Sequence, residues 1–135
     1  MGFSEAVKTC LRKYVTFSGR ATRPEFWWFV LFFFLVIVIG GVIDLVLFGE
    51  STTAVTDTGA SVGSETDFTP FTTIFGLLIL LPYISVAVRR LHDTGRSGWW
   101  YWLGLIPLVG IIILIVWFAS KGTTGSNKYG EDPQA

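Results

Sequence analysis

Three long apolar stretches, 26–48, 71–88 and 99–118, are set between segments that hold nearly all of the charge. At about 1.5 Å per residue the first covers roughly 34 Å, enough for a hydrocarbon core of about 30 Å with some tilt. It predicts a membrane-spanning helix over 22–48. Thr22, Arg23, Pro24 and Glu25 fit an S/T-x-x-E capping box, with a proline in the first turn where no amide partner is lost. Phe26, Trp27 and Trp28 then fall where an aromatic belt belongs. The run is too long for the apolar core of a cleaved signal peptide, and no A-x-A-like site follows it.

A second, shorter span is predicted over 71–90, with Pro82 as a kink and Arg89 and Arg90 complementing the negative end of the helix. A third, over 98–119, is capped by Ser97, opens with Trp99, Trp100, Tyr101 and Trp102, and closes near Trp117. One continuous helix is expected there. A re-entrant hairpin bending at Pro107 and Gly110 is the alternative, although each half is too short to cross alone.

Outside the spans, Phe3, Val7, Leu11, Tyr14 and Val15 recur at helical spacing, with Lys8, Arg12 and Lys13 on the other side. This predicts an amphipathic helix over 3–17, either lying on an anionic leaflet or packed against the spans. The segment 49–70, rich in Ser, Thr, Gly and Asp, predicts a flexible polar loop, and 120–135 a polar tail of successive turns, disordered or docked. The fold class is therefore an all-α integral membrane protein: about three transmembrane helices and an N-terminal amphipathic interfacial helix in a single membrane domain.

Composition agrees, since 51% hydrophobic and 16% aromatic residues with a mean hydropathy of +0.58 exceed what a soluble chain of 135 residues usually carries. Ten basic and ten acidic residues cancel, but they are segregated. Lys8, Arg12, Lys13, Arg20 and Arg23 precede the first span, and Arg89, Arg90 and Arg96 lie between the second and third. The positive-inside rule places both segments, and the N-terminus, in the cytoplasm. The first loop carries Glu50, Asp57, Glu65 and Asp67 and no Lys or Arg, which suits the opposite side, and three full spans would leave the tail outside as well. A single cysteine, Cys10, and a single histidine, His92, exclude an internal disulfide and a four-ligand Cys/His zinc site. No metal, cofactor or nucleic-acid partner is expected.

The polar residues concentrate in 89–100. Arginines at a lipid–water boundary can clamp phosphate or carboxylate through their planar forked donors, yet topology alone also puts them there. His92 beside Asp93 invites an acid–base reading, but neighbours in a helix do not face each other and no nucleophile is placed beside them. Asp93 suits a cap, or a pairing with Arg20 or Arg23. Asp44, the one acid inside a span, is expected to snorkel to the outer interface, and Gly40 and Gly41 to permit a close helix contact.

Three ordered motifs run through nearly the whole chain: 17–27 (FSGRATRPEFW), 89–100 (RRLHDTGRSGWW) and 122–133 (GTTGSNKYGEDP). They resemble the bacterial domain of unknown function 805 family, the YhaH-like inner-membrane proteins. The resemblance implies an inner-membrane protein and no particular reaction. It also implies that Arg20, Arg23, Glu25, Arg89, Arg90, His92, Asp93, Asn127 and Asp132 act together. The residues expected at an anion or partner site are Arg20, Arg23, Glu25, Arg89, Arg90, His92, Asp93 and Arg96, with tail contacts from Asn127, Tyr129 and Asp132. The leading expectation is a non-enzymatic component that binds anionic lipid headgroups or a membrane-protein partner, a second copy included. An oligomeric transporter or channel, and an enzyme acting on lipid headgroups through His92, Asp93 and Glu25, are the alternatives.

Overall fold

The computed structural model describes residues 2–56, 59–65 and 68–133, with backbone alone for the strands. Asp57 and Asp67 of the first loop, and residues 134 and 135 of the tail, lie outside the described residues. In order along the chain come α1 (Phe3–Arg12), α2 (Arg23–Phe48), β1 (Glu50–Thr56), β2 (Gly59–Glu65), α3 (Pro70–Asp93), a 3-10 segment (Gly98–Leu105) and α4 (Val109–Ala119). They form two compact units, one from Met1–Phe32 with Leu80–Ala135 and the other from Phe33–Ile79.

Helices α2 and α3, of 26 and 24 residues, are about 39 and 36 Å long and are apolar enough to cross a membrane. The most apolar 18-residue stretch of α2 is 11% buried, and that of α3 28%. A soluble protein would hide such helices in its core. Here Phe34, Val38, Val42, Val46, Leu77 and Leu78 all face outward, so lipid is the medium that covers them.

In the first unit α2 begins as its sequence dictates: the Glu25 amide donates to Thr22 Oγ1 at 3.3 Å, the N-cap bond. The Glu25 carboxylate does not close the capping box, because it turns inward to Arg89. Helix α1 is shorter than the predicted 3–17 and packs on α2: Phe3 meets Trp28 and Phe32 with ring centroids 5.8 and 6.3 Å apart, and Ala6 and Cys10 are buried. Packing against the spans is thus the outcome, with Lys8, Arg12 and Lys13 left exposed. Pro82 sits inside α3, where the Ser85 hydroxyl meets the carbonyls of Pro82 and Lys13. Gly95, at φ 78°, ends α3 by a left-handed turn, with the Arg96 amide returning to the Leu91 carbonyl at 2.9 Å.

The third apolar stretch corrects the expectation of a continuous span. The chain breaks at 106–108, with Leu108 at φ 62°, and α4 folds back on the 3-10 segment. Trp100 and Trp117, at opposite ends of the stretch, meet edge to face at 5.8 Å. Gly110 lies so close to the Leu103 carbonyl that a Cβ there would overlap it. Each arm is about 16 Å long, half a hydrocarbon core. The stretch is a helical hairpin bent between its halves, and it brings the tail back to the level of Phe26, whose ring lies 4.4 Å from that of Phe118.

In the second unit, Asp44 corrects a second expectation. It is fully buried, and its carboxylate accepts the Phe71 and Thr72 amides, both at 2.9 Å, so it caps the first turn of α3 instead of snorkelling. Gly40 allows this approach: a Cβ there would stand 3.1 Å from Thr72 Cα. Part of the segment 49–70, expected to be a flexible polar loop, pairs as an antiparallel hairpin in register Glu50 to Glu65 through Thr56 to Gly59. Its Thr and Val residues favour extended backbone, a propensity that the polar composition concealed.

Candidate functional site

The three polar motifs converge in the first unit on Asp93, at the C-terminal end of α3. Its Oδ1 accepts from Arg20 Nε at 2.9 Å, its Oδ2 accepts from Arg90, and its backbone carbonyl accepts the Thr123 amide at 2.7 Å. Arg20 goes on to donate to the carbonyls of Thr123 (2.5 Å) and Gly125 (2.6 Å). Arg90 donates to Phe118 (2.9 Å), Ala21 (3.2 Å) and Ser120. Each planar fork therefore ties a helix to two other segments, a task the single point charge of lysine cannot perform. Gly122 completes the joint, since a Cβ there would overlap the Asp93 carboxylate.

Beside this joint, Arg89 Nη1 meets Glu25 Oε1 at 2.5 Å, and the Ala21 amide donates to the Arg89 carbonyl at 3.0 Å. Arg89 Nε and Nη2 are buried and find no partner among the described residues. Three buried guanidiniums against two buried carboxylates leave one positive charge over, set among main-chain carbonyl oxygens. Cys10 closes the cluster from α1, its Sγ 3.8 Å from Glu25 Oε1. Burial, and then the Glu25 carboxylate, push its thiol up to about 12, so it stays protonated.

The tail docks by its own turns. Asn127 Nδ2 donates to the His92 carbonyl at 2.9 Å, Tyr129 stacks on the His92 ring at 4.1 Å, and Asp132 Oδ2 accepts the Gly125 amide at 2.9 Å. His92 Nδ1 lies 3.1 Å from the Gly19 carbonyl. Of the residues expected at the site, Arg20, Glu25, Arg89, Arg90 and Asp93 are thus buried and paired with one another or with backbone, while Arg23 is exposed and donates to the Ala119 carbonyl at 3.4 Å. Arg96 stands apart, its guanidinium 4.5 Å over the Trp117 ring. Sequence reasoning missed Gly19, Ala21, Ser120 and Gly122. Three of the four contribute a carbonyl and the fourth its lack of a side chain, so the only available signal was the glycine opening the tail motif.

The chain matches the profile of the family described as Protein of unknown function (DUF805) over residues 14–131, the interval that holds all three converging motifs. It belongs to the DUF805 family. Among the relatives of this DUF805 chain are two from Escherichia coli (strain K12), Inner membrane protein YhaI and Inner membrane protein YhaH. Each is 40% identical over 124 residues, 92% of this chain and 91% and 92% of the relative respectively. Uncharacterized protein YiiR of the same organism is 35% identical over 89 residues, 47% of this chain and 61% of its own length. No solved structure matches this DUF805 chain. Inner-membrane relatives and two helices long enough to span agree on an integral membrane protein of the bacterial inner membrane.

Proposed function

We propose that this protein is a non-enzymatic inner-membrane component whose N-terminal face lies in the cytoplasm and binds anionic lipid headgroups through its exposed basic residues, Lys8, Arg12, Lys13 and Arg23. The observation that carries the reading is the division of the cations. Arg20, Arg89 and Arg90 are committed to internal partners, whereas these four are exposed at the N-terminal end of the chain. A shallow groove of about 820 Å³ along α1, lined by Phe3, Leu11, Lys8 and Arg12 with Glu5 as its one acid among the described residues, pairs apolar surface with two cations against one carboxylate, which favours a phospholipid with an anionic head.

The test compares phosphatidylglycerol retained by the purified wild type with that retained by a variant carrying Lys8→Gln, Arg12→Gln, Lys13→Gln and Arg23→Gln. At about 1 kcal/mol for each cation near an anionic surface, the variant loses its preference for acidic over zwitterionic lipid while inserting normally. Unchanged acidic-lipid retention would overturn the reading.

A further inference from the structure

A second kind of site has His92 in its wall and none of the described tail residues in its lining. A cavity of about 460 Å³ opens between the segment before α2, helix α3 and the 3-10 segment, with Phe17, His92, Trp99 and Trp102 among its walls. It shares Tyr101 and Trp102 with an apolar cavity of about 580 Å³ lined by Val30, Leu105, Ile111 and Ile115. Both volumes fall within the usual range of small-molecule sites.

The lining chemistry narrows the occupant. Neither cavity is lined by Lys, Arg, Asp or Glu among the described residues, so a charged head would enter without a counter-ion. The polar end of the smaller cavity has His92 and Ser97. The Gly19 carbonyl can only accept, so His92 Nδ1 carries the proton and the neutral ring leaves Nε2 as an acceptor. Ser97 Oγ accepts the Trp99 amide at 3.4 Å and keeps its own hydrogen to donate. One acceptor and one donor on the walls of the same cavity suit a hydroxyl group. Flat aromatic walls on several sides favour a ring over a glycerol backbone.

We propose that the smaller cavity binds the ring head of a prenylated quinol, with its apolar tail in the adjoining larger cavity. The inference is independent of the basic-face reading, since it uses none of the same residues. The test is quenching of tryptophan emission in the purified full-length protein by decylubiquinol, with decylubiquinone and phosphatidylglycerol as comparators. Quenching saturates, and the quinol binds about tenfold more tightly than the quinone, because His92 Nε2 pairs only with an O–H. Ile84→Phe, which fills the smaller cavity, weakens binding by about tenfold or more, and Ser97→Ala, a milder change, weakens both ligands alike. His92→Phe, which keeps a ring against Tyr129, removes the preference for quinol. Three outcomes overturn the proposal: equal affinity for quinol and quinone in the wild type, undiminished binding in Ile84→Phe, or displacement of the probe by an equal concentration of phosphatidylglycerol.

Discussion

Replacing Asp93 with Asn keeps the shape of the side chain and removes the one charge on which two buried guanidiniums converge. Asp93 is 3% exposed, and Arg20 and Arg90 are 5% and 0% exposed, so water cannot take over the lost role. Breaking a buried ion pair from one side costs about 3–5 kcal/mol, because the charge left behind is uncompensated. Two pairs are broken here, but each guanidinium keeps carbonyl partners, Thr123 and Gly125 for Arg20 and Phe118 and Ala21 for Arg90. The expected loss therefore stays near about 3–5 kcal/mol and does not double. It should appear first in the tail, which contributes no described residue to the buried apolar core, and only then in global unfolding. Lys121 and Lys128 are exposed within the docked tail and offer tryptic sites whose cleavage reports undocking. Asp93→Asn should raise the tryptic cleavage rate at Lys128 and lower the thermal midpoint in detergent, and Arg20→Gln should cost less in the Asp93→Asn background than alone, since only its bonds to Thr123 and Gly125 are then left to lose. A change in stability below about 1 kcal/mol with an unchanged cleavage rate would refute the claim that Asp93 is the joint of the fold.

Gly122→Ala should undock the tail as Asp93→Asn does, because its methyl group displaces the Asp93 carboxylate, and tryptic cleavage at Lys128 measures it. Asp44→Ala strips the α3 first turn of its two acceptors and should cost about 1–2 kcal/mol in thermal unfolding, with tail cleavage unchanged. The Cys10 thiol, raised from an ordinary 9.0 to about 12, should resist alkylation in the folded protein at neutral pH and react on denaturation. The folded state holds the proton more tightly than the unfolded state, so the Cys10 contribution is intact below pH 9.0. It falls as pH rises from 9.0 to about 12, a loss that Cys10→Ser should abolish in a pH series of melting curves.

What was legible in the sequence is what periodicity and charge can express. The two long helices follow from unbroken apolar runs, the Thr22 cap from its spacing to Glu25, and a pairing of Asp93 with Arg20 from opposite charges flanking the same apolar segments. The rest lay in the backbone. Asp44 looked like an acid exposed at an interface because its partners are two amides of α3, which every sequence possesses. The arginines looked available for a ligand because their partners include the carbonyls of Phe118, Ala21 and Gly125, and no side chain announces those. The turn at 106–108 hinges on Leu108 in a left-handed conformation, rare for a branched apolar residue and invisible in a hydropathy plot.

That turn decides how the other parts can work. A continuous third helix of about 30 Å would carry Ser120 and everything after it away from the start of α2, and no tail residue could then reach Arg20. Folding back halfway returns Phe118 to Phe26, Ser120 to Arg90 and Thr123 to Asp93, in the order of the chain. The polar tail in turn supplies the carbonyls without which three guanidiniums could not be buried beside two carboxylates. Hairpin and ionic joint are thus mutually dependent. A change that straightens 106–108 should expose the arginines, and a change that neutralises Asp93 should loosen the hairpin. The three polar motifs therefore act first as the fastening of the folded-back third stretch, and the surfaces they leave over are those on which both binding proposals rest: the exposed cations of α1 and Arg23, and the uncharged cavities beside the 3-10 segment.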